Sequence, residues 1–154
     1  MDGIRAYWNG EKLVSRQTNE IKLMKELMEI LPSVPLDGEL WMGRHSFEHL
    51  NALVHSEYDC QESELSWSKV GFHIYDLPFS GASYGLRLLQ LNRFGVPPWC
   101  HIVHNTRCNG RDHLLHLLHT VEKDGAEGLV ARSPNSPYVP GRSTSMLKVK
   151  VTKK

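Results

Sequence analysis

The pattern of apolar and polar positions along the 154-residue chain predicts short strands and helices that alternate. Residues 4–8 and 12–16 are β-prone runs on either side of Asn9-Gly10, a dipeptide that supplies positive φ in tight hairpin turns. Residues 21–31 then place apolar side chains at helical spacing, and two prolines stop that pattern. We therefore predict an antiparallel hairpin followed by a helix.

The remaining pattern predicts an α+β domain. Strands are predicted at residues 36–42, 70–77, 100–103, 129–132 and 147–151, and helices at residues 45–55, 83–94 and 112–123. Asp112 is the expected N-cap of the last helix and Gly125 its end, and residues 59–66 form a polar, acidic loop. Because hairpins favour antiparallel pairing, we expect largely antiparallel sheets flanked by helices.

Length and composition are those of one ordinary domain. Hydrophobic residues make up 40% of the chain and charged residues 23%, a balance that allows a buried core. The 18 basic and 17 acidic residues nearly cancel, which excludes a uniformly basic nucleic-acid module. The charge is nevertheless uneven, because residues 130–154 contain six Lys or Arg and no Asp or Glu. That end of the chain is suited to contact phosphate groups.

The cysteines and the apolar runs indicate where the protein resides. Cys60, Cys100 and Cys108 are an odd number at spacings that fit neither a disulfide framework nor paired CxxC knuckles. No apolar run approaches the roughly 18 residues that span a bilayer, and the first residues do not form a signal-peptide core. We expect a soluble intracellular protein without a membrane partner. The sequence does not distinguish nucleus, organelle and bacterial cytoplasm.

Nine histidines raise the question of a zinc site. Three recur at a spacing of three residues on one predicted helix and two lie near cysteines, namely His113, His116, His119, His101 and His104. The helical histidines lack the HExxH arrangement, and the cysteine spacing fits no common structural site. The sequence therefore does not favour zinc.

Five short segments combine charged or aromatic residues with a strand end or a glycine turn. They are DGIR at residues 2–5, LDGEL at 36–40, FHIYD at 72–76, EGLV at 127–130 and LKVK at 147–150. Each segment alone is a weak signal, because an Asp-Gly pair is usually only a turn. Their order and spacing make chance a poor explanation.

The ordered set resembles the nucleotidyltransferase superfamily of ATP-dependent DNA ligases, RNA ligases and mRNA capping enzymes, whose motifs run KxDGxR, DGE, aromatic-Asp, EGxV and KxK. The stretches DGIRAYW, LDGELWMGR, YDLP and GRSTSMLKVK are most similar to the small DNA ligases of bacteria and of protist mitochondria. The resemblance implies an ATP-grasp-like nucleotidyltransferase fold for residues 1–154, an adenylation domain that uses ATP and Mg²⁺. It also implies a monomer that acts on nicked double-stranded DNA in repair, replication and recombination.

The resemblance assigns nucleotide contacts to four residues of the first three motifs. Asp2 and Arg5 belong to the first motif, in which the arginine contacts the nucleotide or the 5′-phosphate of the nick. Glu39 would bind the ribose hydroxyls, and Tyr75 occupies the position at which the family stacks an aromatic ring on adenine. Packing of Tyr75 in the core is the alternative.

The last two motifs would contact the phosphates. Lys148 and Lys150 are two residues apart on a predicted strand, so their side chains share one face. By resemblance both lysines contact the α-phosphate through the transfer, and Glu127 helps to hold Mg²⁺ directly or through water. A solvated edge strand is the alternative interpretation of the two lysines.

DNA contacts are expected from arginines, because a guanidinium group binds phosphate with two parallel hydrogen bonds. Arg5 is one candidate, and Arg16 is another because it ends the second predicted strand. Arg44, Arg132 and Arg142 are candidates only through their positions beside the motifs.

Two features of the family are missing from the sequence as written. The nucleophilic lysine stands two positions before the motif aspartate, here Asp2, and would therefore precede Met1. The chain also ends four residues after Lys150, whereas ligases continue into an OB-fold domain. We therefore expect an adenylation domain that is truncated at its N-terminus, has no OB-fold domain and is inactive alone.

Other functions also fit part of this pattern. An RNA ligase or an mRNA capping nucleotidyltransferase would carry the same five motifs, although the LDGELWMGR stretch and the GRS before LKVK favour a DNA ligase. A catalytically dead accessory protein that binds nucleotide or DNA is a different class. It is favoured if the reading frame upstream of Met1 contains no lysine at the motif position.

Overall fold

The computed structural model describes residues 2–56, 65–78 and 81–150. The chain divides into two compact units, Met1–Phe79 with Leu86–Val103 and Ser80–Gly85 with His104–Lys154. The predicted acidic loop at residues 59–66 lies outside the described residues, apart from its last two positions.

The first unit is built on a five-stranded sheet in the order β2-β1-β3-β4-β5. The strands are β1 (Ile4–Trp8), β2 (Leu13–Ser15), β3 (Leu36–Trp41), β4 (Gly71–Asp76) and β5 (Cys100–Ile102). Neighbours from β2 to β4 are antiparallel, as predicted, whereas β5 pairs with β4 in parallel. The parallel pair arises because a long connection that contains a helix, and not a hairpin, joins β4 to β5.

The hairpin between β1 and β2 forms at the predicted dipeptide. The side-chain Oδ1 of Asn9 accepts hydrogen bonds from the backbone N–H groups of Glu11 (2.9 Å) and Lys12 (2.7 Å). Gly10 has a φ of 102°, in the left-handed region that favours glycine. The turn brings Trp8 and Leu13 into register as the first pair of the hairpin.

One face of the five-stranded sheet carries the hydrophobic core of the first unit. Leu40, Phe72 and Ile74 of the two central strands have no exposed surface. Leu50 of α2 (Phe47–His55) is also fully buried. Each such side chain stabilises the fold by about 1.5–3 kcal/mol relative to an exposed position. Because strand residues alternate between faces, the opposite face is left for polar side chains.

The helix predicted at residues 21–31 is wrong over much of its length. The structure has only α1 (Lys25–Glu29) in this region. Ile21 and Leu23 are buried, but in extended backbone, where the N–H of Ile21 donates to the carbonyl of Leu13 at 2.8 Å. The apolar pair at 21 and 23 also has the spacing of a strand, and pairing beside β2 took precedence over the helical pattern.

The third helix joins the core through a buried ion pair. Arg87 of α3 (Tyr84–Arg93) donates from Nε to Oδ1 of Asp76 at 2.7 Å and from Nη2 to Oδ2 at 3.1 Å. Neither side chain has any exposed surface. Asp76 is the last residue of β4, so the pair fixes the end of that strand to the helix.

The second unit contains α4 (Arg111–Lys123) and a two-stranded antiparallel sheet. Its strands are β6 (Leu129–Arg132) and β7 (Met146–Val149). Asp112 is not the N-cap of α4 as predicted, because that position is Gly110. Asp112 instead lies in the first turn, where the partial positive charge of the helix end favours a carboxylate. The predicted end is confirmed, since Gly125 follows the helix with a φ of 77°.

The helices of the described residues were compared in length and hydropathy with a membrane span. None of these helices is long and apolar enough to cross a bilayer.

We predict that Arg87→Met lowers the free energy of unfolding by about 3–5 kcal/mol, because it leaves the buried Asp76 carboxylate without its guanidinium. Urea denaturation followed by circular dichroism measures the change. Arg93→Met is the matched control, since Arg93 lies on the same helix but is exposed, and it should change the free energy by less than about 0.5 kcal/mol. Equal effects of the two variants would contradict the structural role of the pair.

Candidate functional site

Three predicted site residues lie on neighbouring strands of the first unit's sheet. Arg5 of β1 is the register partner of Glu39 of β3, and Glu39 is in turn the register partner of His73 of β4. Tyr75 lies two residues after His73, at the β-bulge opposite Asp37 and Gly38. All of these side chains are half-buried. We call Arg5, Glu39 and Tyr75 the sheet-face cluster.

The carboxylate of Glu39 is oriented by the first motif. The backbone N–H of Gly3 donates to Oε1 of Glu39 at 2.8 Å. A Cβ on Gly3 would lie 2.9 Å from the Glu39 side chain and would overlap the carbonyl oxygen of Leu40. Only glycine allows this close approach, so the glycine of the DGIR segment and the glutamate of the LDGEL segment form one local arrangement.

Arg5 is held by a buried carboxylate that the sequence did not assign to the site. The Nη2 of Arg5 donates to Oδ2 of Asp37 at 2.7 Å, and its Nε donates to Oδ1 at 3.3 Å. The Asp37 side chain is 3% exposed, whereas that of Arg5 is 35% exposed. A two-bond contact of this kind fixes the plane of the guanidinium. Asp37 therefore binds the Nε–Nη2 edge of the Arg5 guanidinium group, while part of the Arg5 side chain stays exposed to solvent.

The second unit brings together the residues of the last two motifs. The Nζ atoms of Lys148 and Lys150 both donate to Oε2 of Glu127, each at 2.9 Å. The two lysines therefore share one face, as predicted from their spacing. The three side chains are between 45% and 60% exposed. We call Glu127, Lys148 and Lys150 the lysine–carboxylate cluster.

The two ammonium groups change the acidity of Glu127. Hydrogen bonds from Lys148 and Lys150, together with their positive charge, lower the pKa of Glu127 from the ordinary value of 4.5 to about 2. The cluster is therefore one carboxylate and two ammonium groups at neutral pH. Solvent access means that it adds little to the stability of the fold.

Gly128 explains how Glu127 reaches the lysines. Its φ is 147°, and a Cβ there would overlap the carbonyl oxygen of Val149 on the neighbouring strand. Glycine therefore lets the chain turn into β6 while β7 passes close by, with Lys148 in register with Val130. The EGLV segment and the LKVK segment depend on each other for this geometry.

The remaining predicted residues are placed at several positions. Asp2 is exposed before β1, Arg16 is exposed after β2, and Arg44 is exposed after β3. Arg142 is exposed between β6 and β7. Arg132 differs from them, because its guanidinium carbon lies 4.2 Å from the centroid of the Tyr84 ring.

The Tyr84 ring is itself fixed. Its hydroxyl donates to Oδ1 of Asn105 at 2.8 Å. A cation over the face of a fixed ring is attracted by the ring quadrupole. This contact orients Arg132 at the end of β6, and sequence reasoning about Arg132 did not include Tyr84.

Within the described part of the chain, no group of three or more His, Cys, Asp or Glu side chains is arranged to hold a metal ion. This includes the three histidines of α4. In the lysine–carboxylate cluster, Glu127 is the one carboxylate that could ligate a metal ion.

The comparisons with known proteins agree with this arrangement of motifs. The sequence model of the family described as ATP dependent DNA ligase domain matches residues 1–150. The chain belongs to this family. The family is that of DNA ligases, which confirms the DNA-ligase interpretation over an RNA ligase or a capping enzyme.

The ligase domain is also similar to individual relatives. It is 29% identical over 156 residues to a DNA ligase of Haemophilus influenzae, a match that covers 99% of this chain and 56% of the relative. A solved structure from a study of DNA binding by Lig E DNA ligases is 33% identical, with a TM-score of 0.87, over 98% of this chain and 59% of that chain. The chain thus spans somewhat more than half the length of these relatives.

More distant structures share the fold. A chlorella virus DNA ligase–adenylate is 23% identical with a TM-score of 0.73, over 97% of this chain and 58% of that one. The bacteriophage T7 DNA ligase in complex with ATP is 16% identical with a TM-score of 0.70, over 97% and 60%. These likenesses confirm the predicted α+β nucleotidyltransferase fold.

Sequence reasoning missed two residues that support the ligase domain's site. Asp37 lies inside the LDGEL segment, yet its contact with Arg5 spans 32 positions. Arg87 contacts Asp76, the residue after Tyr75. A signal for Arg87 was available, since it shares the buried stripe of α3 with Leu91, four residues later. A charged residue on an apolar stripe implies a buried counter-charge.

We predict that Glu127 titrates near pH 2 in the folded domain. Because its pKa is lowered on folding, its stabilising contribution is present above about pH 4.5 and is lost as the pH falls through about 2. The carboxyl ¹³C chemical shift measures the midpoint. Lys148→Met should raise it towards 4.5, whereas Lys123→Met, on an exposed lysine of α4, should leave it unchanged. A wild-type midpoint near 4.5 would exclude the two-lysine contact in solution.

Proposed function

We propose that this ligase domain is an adenylation domain that takes AMP from ATP onto a lysine and passes it to the 5′-phosphate of a nick in double-stranded DNA. The 3′-hydroxyl of the nick then attacks that phosphate and AMP leaves. The observation that carries the proposal is the lysine–carboxylate cluster, in which two ammonium groups converge on one oxygen. Such a pair of cations is suited to the charge that develops on a phosphate during transfer.

The sheet-face cluster supplies the nucleoside contacts in this proposal. Tyr75 supplies an aromatic ring that stacks on adenine. Glu39 accepts hydrogen bonds from the ribose hydroxyls, because a carboxylate bound by the single N–H of Gly3 still has acceptor capacity. Asp2, at the start of the first motif, is a further nucleotide-binding residue in this proposal. Arg5, oriented by Asp37, contacts the nucleotide or the nick phosphate.

Lys148 and Lys150 bind the α-phosphate. Each ammonium group donates to Glu127 and carries a positive charge that also suits a phosphate oxygen, so the pair of lysines can bind phosphate beside the carboxylate. Their positive charge stabilises the transition state more than the ground state, because the phosphate carries most negative charge in the transition state. We therefore assign both lysines an electrostatic role.

The donor set fits Mg²⁺ at Glu127. Its carboxylate stays ionised at all ordinary pH values, since its pKa is about 2, and carboxylate oxygen is the ligand that Mg²⁺ prefers. Mg²⁺ usually takes one or two protein carboxylates and completes its shell with water and phosphate, which matches the single carboxylate present. Mg²⁺ held there by Glu127 would offset phosphate charge.

Arginines supply the contacts to the DNA backbone. Arg16, Arg44 and Arg142 are exposed, so their guanidinium groups are accessible to the phosphates of a DNA backbone. Arg132 lies over the Tyr84 ring, so its guanidinium has a fixed direction. Each neutralised phosphate releases counterions, so we expect DNA binding that weakens strongly with salt.

The nucleotide site is tested by ATP binding to the 154-residue chain. We predict that Tyr75→Ala weakens ATP binding several-fold, because aromatic stacking contributes on the order of 1 kcal/mol. Tyr75→Phe is the matched control, since it keeps the ring and removes only the hydroxyl. Isothermal titration calorimetry measures both affinities. Equal affinity in the wild type and in Tyr75→Ala would remove Tyr75 from the site.

The transfer step is tested with labelled ATP and Mg²⁺. The chain as given should form no acid-stable lysine–AMP adduct, because none of its lysines stands two positions before Asp2. A chain extended at its N-terminus so that a lysine directly precedes Met1 should form the adduct. Lys148→Ala should then severely reduce it, since it removes one of the two ammonium groups that we assign to the charge on the transferring phosphate.

Two outcomes of the adduct experiment would contradict the proposal. An adduct mapped by mass spectrometry to an internal lysine of the unextended chain would overturn the motif assignment. Absence of the adduct after extension, with ATP binding retained, would favour a nucleotide-binding accessory protein.

A further inference from the structure

Two histidines meet on the polar face of the sheet, beside the sheet-face cluster. His73 of β4 and His101 of β5 are register partners in the parallel pair of strands. Their ring centroids are 4.9 Å apart, and the ring planes are inclined at 38°. They are separated by 28 positions in the sequence, so only the fold brings them together.

The space between the two rings is created by a glycine. A Cβ on Gly71 would lie 3.0 Å from Nε2 of His73 and 3.1 Å from Nε2 of His101. Both Nε2 atoms therefore border the same small volume above the backbone of β4. Nε2 carries the lone pair of one imidazole tautomer, so two nitrogen donors face a common point.

The pair is open to solvent on one side and supported by an aromatic ring on another. His101 is exposed and His73 is half-buried. The ring of Trp41 meets the His73 ring edge-on, with centroids 5.3 Å apart and an interplanar angle of 87°. This packing limits rotation of His73 and leaves its Nε2 directed over Gly71.

We propose that His73 and His101 form a two-histidine site for a late first-row transition-metal ion of the Zn²⁺, Ni²⁺ and Cu²⁺ class. Imidazole nitrogen is a preferred ligand of these ions and a poor ligand of Mg²⁺. Metal–nitrogen bonds are about 2.0–2.1 Å long, and both Nε2 atoms lie about 3 Å from one point above Gly71, so a ring movement of about 1 Å brings both to bonding distance of one ion. No third ligating side chain joins them among the described residues, and water completes the coordination. The site is independent of the proposed nucleotide function.

Quenching of Trp41 fluorescence by Cu²⁺ tests the site. Bound Cu²⁺ quenches an indole at contact distance, so Trp41 reports occupancy directly. We expect saturable quenching in the wild type that Zn²⁺ reverses by competition. Trp41→Phe should remove the saturable component. His73→Gln and His101→Gln should each weaken binding by about tenfold or more, because even loss of a supporting residue around a ligand costs about 10–100-fold.

The matched control is the double variant His116→Gln with His119→Gln. These two histidines are exposed and lie three residues apart on α4, so their side chains are neighbours on the helix surface. They are therefore an alternative binding site for a transition-metal ion. The control should leave quenching of Trp41 unchanged. Quenching that survives His101→Gln, or that is lost in the α4 variant, would overturn the proposal.

Gly71→Ala provides an independent check. Its added methyl would occupy the volume between the imidazoles, 2.9 Å from a carbon of the His101 ring, and should weaken Cu²⁺ binding with both histidines present. Circular dichroism confirms that each variant is folded. Unchanged quenching in folded Gly71→Ala would show that the metal binds elsewhere.

Discussion

The register of β3 between β1 and β4 is the constraint on which the candidate site depends. Because side chains alternate with a period of two, this register buries Leu40 and places Glu39 on the opposite face. A slip of one residue would bury the carboxylate and expose the leucine. Gly38 allows the close pairing, since a Cβ there would lie 2.5 Å from the carbonyl oxygen of His73. The glycines of the motifs therefore allow the strands to pair closely, and this pairing positions the side chains of the candidate site.

Buried charge is the second requirement of this sheet. Asp37 and Asp76 are register partners at a β-bulge and are only 2% and 1% exposed. A buried carboxylate is costly without a counter-charge, and Asp37 is compensated by Arg5 while Asp76 is compensated by Arg87. Arg5 therefore neutralises a buried carboxylate in addition to the phosphate contact that we propose for it. Loss of Arg5 would affect folding as well as ligand binding.

The sequence predicted the elements whose causes are local and missed those that depend on distant contacts. The β1–β2 hairpin and the end of α4 follow from turn residues within a few positions. The segment around Ile21 and Leu23 was predicted as helix because the helical spacing of residues 21–31 outweighed the strand-like spacing of this one pair, whose partner β2 is a tertiary contact. Motif resemblance supplied Glu39, Tyr75 and the two lysines, and the fold places the two lysines on a shared face. His73 and His101 lie on separate strands, so spacing along the chain carried no information about their contact.

The sheet-face cluster and the lysine–carboxylate cluster differ in rigidity for a physical reason. Glu39 is bound by the backbone and Arg5 by a buried carboxylate, so the sheet holds both side chains in place for the nucleotide contacts that we propose. Lys148 and Lys150 bind a solvent-exposed carboxylate, and an incoming phosphate displaces or shares such contacts at little cost. A phosphate group changes its charge and geometry during transfer, whereas the adenine and ribose do not. Preset contacts therefore suit the nucleoside, and exchangeable cations suit the reacting phosphate.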